Sequence, residues 1–181
     1  LAAHQIAFQL WSFLALVLDA VAIAGQAMVG RLLGAGDAER ARDAARRMVQ
    51  WGVVAGVVFA AAVLALRGVL PGVFTDDGRV AALAMDVLVV VAILQPINAV
   101  VFVLDGVLIG AGDLRYLAMA MLLASALVFL PAAGIVHAAD AGLRTLWLAL
   151  AGLMGARLLG NVARFRGGRW QVVGAGTTMA P

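Results

Sequence analysis

Asp19 sits near the middle of a long apolar run that also carries Gln5, Gln9, Ser12 and Gln26. Successive spacings of four, three, seven and seven residues hold all five within an arc of roughly 100° if the run is helical. The chemistry available there is hydrogen bonding along one face and a single negative charge. A carboxylate at the centre of a bilayer costs roughly 2.5–3.5 kcal/mol even on lenient insertion scales, so Asp19 needs a partner or a use. Attraction of a cation is the use a carboxylate offers. A second set, Gln95, Asn98, Phe102 and Asp105, is spaced three, four and three residues apart and shares one face, with Asp86 on the far side. These polar stripes have two readings: hydrogen-bonding glue between packed helices, or the lining of a cavity. Their continuity favours the cavity. Asp105 lies within two turns of its helix end, as do Arg157 and Asn161 on a later run, so an ion pair of Asp105 with Arg157 is the structural reading of that acid. Asp86, close to the other surface, reads as a solvated end residue.

The elements that must carry these residues are five apolar spans, at about 5–33, 48–66, 80–109, 116–136 and 143–163. Together they form one transmembrane unit over 1–170, followed by a mobile polar tail at 171–181. The third span is the organising one. From Val80 to Ile109 a helix extends roughly 45 Å at 1.5 Å per residue, longer than a hydrocarbon core of about 30 Å, so it must tilt, kink or overhang. Pro96 supplies the kink, because it lacks the amide donor that Ala92 would have received. Broken helices survive in membranes where the break faces protein or water, and this predicts a cavity beside Pro96, the expected hinge. Gly34-Ala35-Gly36-Asp37 and Gly110-Ala111-Gly112-Asp113 end the first and third spans. Between the first two spans, Asp37 to Arg47 is a charged, helix-favouring connector, with acids first and arginines last as the helix dipole prefers.

Composition fixes the class. The chain of 181 residues is 65% hydrophobic and 13% charged, with a mean hydropathy of +1.05, too little polar surface to enclose a soluble domain. It reads as an all-α, multi-pass membrane protein. A net charge of +3, carried by arginine with no lysine, argues against nucleic acid as a partner. No cysteine is present, which excludes disulfides and thiolate metal sites. Arg31, Arg40, Arg42, Arg46, Arg47, Arg115, Arg164, Arg166 and Arg169 fall on one side of the spans, and only Arg67, Arg79 and Arg144 on the other. The arginine-rich side is therefore expected in the cytoplasm and the amino terminus outside. Leu1 opens into Ala-Ala-His-Gln-Ile without a basic leader, so the sequence reads as a fragment lacking an amino-terminal part.

Catalysis finds little support. Gly110-Ala111-Gly112-Asp113 matches the Gly-x-Gly-Asp pattern of intramembrane aspartyl proteases, where two carboxylates share a proton. The same tetrapeptide recurs at Gly34 to Asp37, and both copies end complete spans, as interfacial turns do. No His-Glu-x-x-His, clustered metal ligands or phosphate-binding glycine loop occurs, and His4 and His137 fall at span ends. The expectation is no enzyme, no cofactor and no metal site.

Leu18-Asp-Ala-Val-Ala-Ile-Ala-Gly-Gln-Ala-Met-Val-Gly30 before the first Gly-Ala-Gly-Asp, and Leu104-Asp-Gly-Val-Leu-Ile-Gly before the second, resemble the carboxy-terminal half of a multidrug and toxic compound extrusion (MATE) transporter, in its DinF-like branch. The likeness continues through Leu146-Trp-Leu-Ala-Leu150 and Arg157. It implies one lobe of a two-lobed, twelve-helix transporter that exports amphipathic, often cationic small molecules in exchange for protons or sodium ions. Its setting would be a lipid bilayer, expected to be a bacterial inner membrane, and its closest partner the missing amino-terminal lobe. Some branches carry an acidic cation-site residue where this sequence has Asn98, and an amide does not exchange a proton at ordinary pH. The resemblance accordingly places the coupling acid in the other lobe. Flipping of a lipid-linked substrate is the alternative within transport, although it calls for a strongly cationic cavity. A membrane assembly protein with interhelical glue is the alternative outside it.

Overall fold

The computed structural model describes residues 1–173. Among the described residues there is no strand, and five helices are long and apolar enough to cross a membrane. Helix α1 (Ala2–Gly34) and helix α3 (Gly78–Gly110) have 33 residues each, roughly 50 Å. Helix α2 (Ala38–Leu66) lies between them. The fourth crossing is α4 (Leu114–Ala124), a π turn at Ser125–Phe129 and α5 (Leu130–Ala138) in series; the fifth is α6 (Gly142–Gly167). The fold class is the one the apolar runs predict. The charged connector before the second span is not a separate piece: it forms the first turns of α2, continuous with the apolar part. Its arginines and short side chains favour helix whether or not lipid surrounds them.

The sequence of α3 explains its position. Its apolar residues are spread around the whole circumference, between only a few polar ones, which suits a helix surrounded by others. Of its most apolar stretch, 67% is buried, against at most 22% for any other span. Val87, Leu88, Val91 and Leu94 pack there against Trp147 and Met154 of α6 and Ala7 of α1. A second cluster, Val29, Leu33, Ala41, Ala45, Val107, Leu108 and Trp170, closes the opposite end of the bundle. Trp170 reaches it because Gly168, at φ 68°, turns the chain back after α6. Its ring stacks on Phe165 at 5.4 Å, and its indole N–H donates to the Phe165 carbonyl at 3.0 Å.

The two Gly-Ala-Gly-Asp turns are built alike. Asp37 N–H donates to the Leu32 carbonyl and Asp113 N–H to that of Leu108, both at 2.9 Å, while Gly36 N–H and Gly112 N–H donate to Leu33 and Ile109. This pairing of six-to-one and five-to-two bonds requires a left-handed residue at its centre, where glycine carries no Cβ penalty; Gly36 has φ 81° and Gly112 φ 74°. The expected tail at 171–181 lies outside the described residues from position 174 onward. Of its first part, Gln171 Nε2 donates to the Ala38 carbonyl at 3.0 Å.

Candidate functional site

Small residues bring α1 and α3 into near backbone contact. A Cβ built on Gly106 would collide with the Ala22 carbonyl, one on Gly110 would collide with Gln26 backbone, and one on Gly30 would lie 3.1 Å from the Gly110 oxygen. A glycine every fourth residue is the device by which membrane helices approach this closely without a hydrophobic drive between them. Along the flank of that seam the helices leave a groove. One cavity of about 240 Å³ is bounded by Asp19 and Gln26 of α1, Phe102 and Asp105 of α3, and Arg157 of α6. A second, of about 340 Å³, continues along α1 past Trp11 and Ser12 and shares Asp19 and Phe102 with the first.

The two carboxylates of the groove differ in what surrounds them. Asp105 is saturated: Arg157 Nη2 donates to Oδ2 at 2.5 Å and Asn161 Nδ2 to Oδ1 at 2.7 Å. The Arg157 and Asp105 side chains are only 12% and 14% exposed, so their charges offset each other where water screens poorly. Arg157 Nη1 also reaches Met154 Sδ at 3.5 Å. Asp19 has no cationic side chain within ion-pair distance among the described residues and is exposed to the groove. Trp11 and Phe102 line the same cavity.

Other residues picked out by spacing lie elsewhere. Gln95 and Asn98 are buried, at 0% and 1% exposure, two turns and one turn before Phe102 on α3, and line neither cavity. Gln95 Nε2 donates to the Val91 carbonyl at 3.1 Å, one turn back on its own helix, while the side-chain oxygens of Gln95 and Asn98 lack partners. Gln5 and Gln9 are exposed and line neither cavity. At Pro96, Gly56 of α2 fills the space a cavity would need: its Cβ position is 2.7 Å from Pro96 Cα and 2.8 Å from the Gln95 oxygen. α3 runs on as one helix through Pro96, which faces protein rather than the expected cavity, and open space begins nearer Phe102. Among the described residues no three His, Asp or Glu side chains are placed to hold a metal ion.

A constellation that spacing did not reveal stands beside the second tetrapeptide. Arg164 grips Asp113 with Nε at 2.5 Å and Nη2 at 3.1 Å from its two oxygens, a bidentate fork. The guanidinium lies 4.8 Å over the Tyr116 ring, and the Tyr116 hydroxyl donates to the Gly160 carbonyl at 2.7 Å. Asp37, its counterpart in the first tetrapeptide, instead accepts from Arg40 N–H at 3.0 Å and caps α2. The only signal in the sequence was that Asp113 and Arg164 fall on the same side of the bundle, and the turn reading of Asp113 absorbed it.

A bundle of five apolar helices, each long enough to cross a membrane, defines an all-helical polytopic membrane protein. The chain belongs to the MatE family, whose model matches residues 1–135. It is similar to Protein DETOXIFICATION 45, chloroplastic, of Arabidopsis thaliana, 31% identical over 176 residues, 94% of this chain and 30% of the relative. Protein DETOXIFICATION 42 of the same plant is 39% identical over 123 residues, 68% of the chain and 24% of the relative. Multidrug resistance protein NorM of Vibrio vulnificus is 32% identical over 114 residues, 63% and 25% respectively. The chain spans about a third of the length of the curated relatives it matches over nearly its whole extent.

Proposed function

We propose that this chain is the carboxy-terminal lobe of an efflux transporter that exports small amphipathic, often cationic molecules in exchange for protons or sodium ions. The observation that carries the reading is the state of Asp19: a carboxylate halfway along a membrane helix, open to a groove and left without a counter-charge while Asp105 beside it is neutralised. At an effective dielectric of about 20, a cation 4 Å from that carboxylate gains roughly 4 kcal/mol. The names of the NorM and DETOXIFICATION relatives support efflux of foreign compounds. The DinF-like branch, the completing amino-terminal lobe, the site roles of Gln95, Asn98 and Pro96 and a cytoplasmic arginine-rich face belong to the same reading.

The test is transport by a full-length protein built around this segment and compared at equal membrane abundance. Asp19→Asn keeps shape and removes charge, so efflux of a cationic dye falls about tenfold or more while that of a neutral compound of similar size falls little. Equal loss for both compounds overturns the role of Asp19 in attracting cations.

A further inference from the structure

A wider groove, of about 550 Å³, lies where α1 ends and α2 begins, and it shares no lining residue with the two Asp19 cavities. One face of α2 contributes Arg40, Asp43, Arg47 and Trp51 to it, spaced as residues on a single side of a helix must be. Met28 of α1 and Met48 of α2 supply apolar surface between the two helices, and Met48 lies close against α1 at Gly25. The lining is divided along its length. Up to Arg47 the α2 segment is charged, and from Met48 to Leu66 it carries no charge at all, so the step from Arg47 to Met48 marks the level where water gives way to hydrocarbon. Trp51, one turn beyond that step, is 72% exposed, as tryptophans at the headgroup level of a bilayer are.

The charges of this groove are unequally matched. Asp37 pairs with Arg40 at 3.3 Å and Asp43 with Arg46 at 3.7 Å, but among the described residues Arg47 has no carboxylate within ion-pair distance. An exposed, unopposed guanidinium therefore stands at the hydrocarbon boundary, next to exposed apolar surface. A further helix covering this face would have to bring an acid to that level. An anionic phospholipid already carries its phosphate there, and its acyl chain continues along Met28, Met48 and Trp51. A guanidinium grips a phosphate through two parallel hydrogen bonds, and basic clefts between membrane helices suit anionic headgroups. A choline headgroup is a poorer fit, since it brings a cation of its own towards Arg40 and Arg47. We infer that the groove between the end of α1 and the start of α2 is a binding site for an anionic phospholipid, with its phosphate on Arg47 and an acyl chain beside Trp51.

The fluorescence of Trp51 reads the site directly. The full chain is placed in phosphatidylcholine vesicles, and phosphatidylglycerol brominated on its acyl chains is introduced at rising mole fraction, with brominated phosphatidylcholine as the control. The quenching that belongs to Trp51 is the difference between the unaltered chain and Trp51→Phe. Half-quenching by the brominated phosphatidylglycerol is expected at a mole fraction about fivefold lower than by the control, the worth of one arginine at an anionic surface. Arg47→Gln should remove that preference. Arg115→Gln, which takes the same charge from the same end of the bundle without lining the groove, should keep it. All three positions are exposed, so native helix content is expected in each variant and is checked. Equal quenching by the two lipids in the unaltered chain overturns the assignment, and so does an equal loss of preference in Arg47→Gln and Arg115→Gln, which would make it a property of overall surface charge. Displacement of the brominated lipid by inorganic phosphate would mean a soluble anion as the occupant and overturns it as well. In a full-length protein built around this segment the same preference is expected; its loss there would mean that a further helix covers the groove. Because the measurement is binding alone, the result is independent of whether the chain transports anything.

Discussion

Asp105 and Arg157 hold each other in a setting where neither is comfortable alone, and removing one partner is more damaging than removing both. Arg157→Met should lower stability by about 3 kcal/mol or more, since it strands a largely buried carboxylate. Adding Asp105→Asn to it should recover most of that loss, because Asn161 can still bond to the amide. Thermal unfolding in detergent of the two single variants and the double variant measures the coupling; additive losses would show that the charges do not depend on each other. At this scale the sequence was partly legible. The nearness of Asp105, Arg157 and Asn161 follows from their standing near the same helix ends, and Asp19 was marked by the cost of its charge. The grip of Arg164 on Asp113 was hidden, because Asp113 has an adequate explanation as a turn residue. The pairing of His4 with Trp147, whose ring centroids stand 5.9 Å apart, joins residues far apart in sequence, both in apolar surroundings, where periodicity carries no information about which helix ends meet.

Among the elements, the seam between α1 and α3 and the contact of α2 with Pro96 are set by glycine. Gly106→Ala has no room, because the added methyl meets Ala22 backbone, and overpacking of this kind costs about 1–3 kcal/mol. Gly134 in α5 has nothing within 4 Å of its Cβ position, so Gly134→Ala should be neutral or stabilise by about 0.5–1 kcal/mol through helix propensity. Melting curves of the two variants provide the comparison, and an equal loss in both would remove the special status of the seam. If Pro96 is a hinge, as proposed, Pro96→Ala should slow efflux in the full-length setting without reducing abundance, by restoring the missing backbone hydrogen bond and stiffening α3; unchanged efflux rates leave Pro96 a packing residue. Helix number and type were legible because runs of apolar residues admit no other structure in lipid. The π turn was not, since Ser125 to Phe129 carries no residue that forbids an ordinary α turn. The connector from Asp37 to Arg47 was read as helix-favouring, and it runs without interruption into α2.

For the molecule as a whole, the orientation proposed from its arginines is simple to measure, because the chain has no native cysteine. In intact cells, a cysteine replacing exposed Arg46 should be protected from an impermeant reagent, and one replacing exposed Asp76 should be labelled. The reverse pattern would invert the bundle. Burial shows the same arrangement at a larger scale: α3 is enclosed, while Phe13, Leu16 and Ile23 of α1 and Leu127 and Leu130 of the fourth crossing are exposed, as suits contact with lipid or with further helices.

The seam at Gly106 and Gly110 also bears on how a guest could leave. Backbones that already touch cannot roll or slide across one another without first separating, so α1 and α3 behave mechanically as one beam. A molecule held between Asp19 and Phe102 is not released by these two helices parting. Its way out is sideways, past the fourth crossing, where Leu117 and Met121 form the facing wall of the groove and where only 6% of the apolar stretch is buried. On the proposed function, the span to move first is this fourth crossing, the least buried within the chain, with the π turn as its weak point.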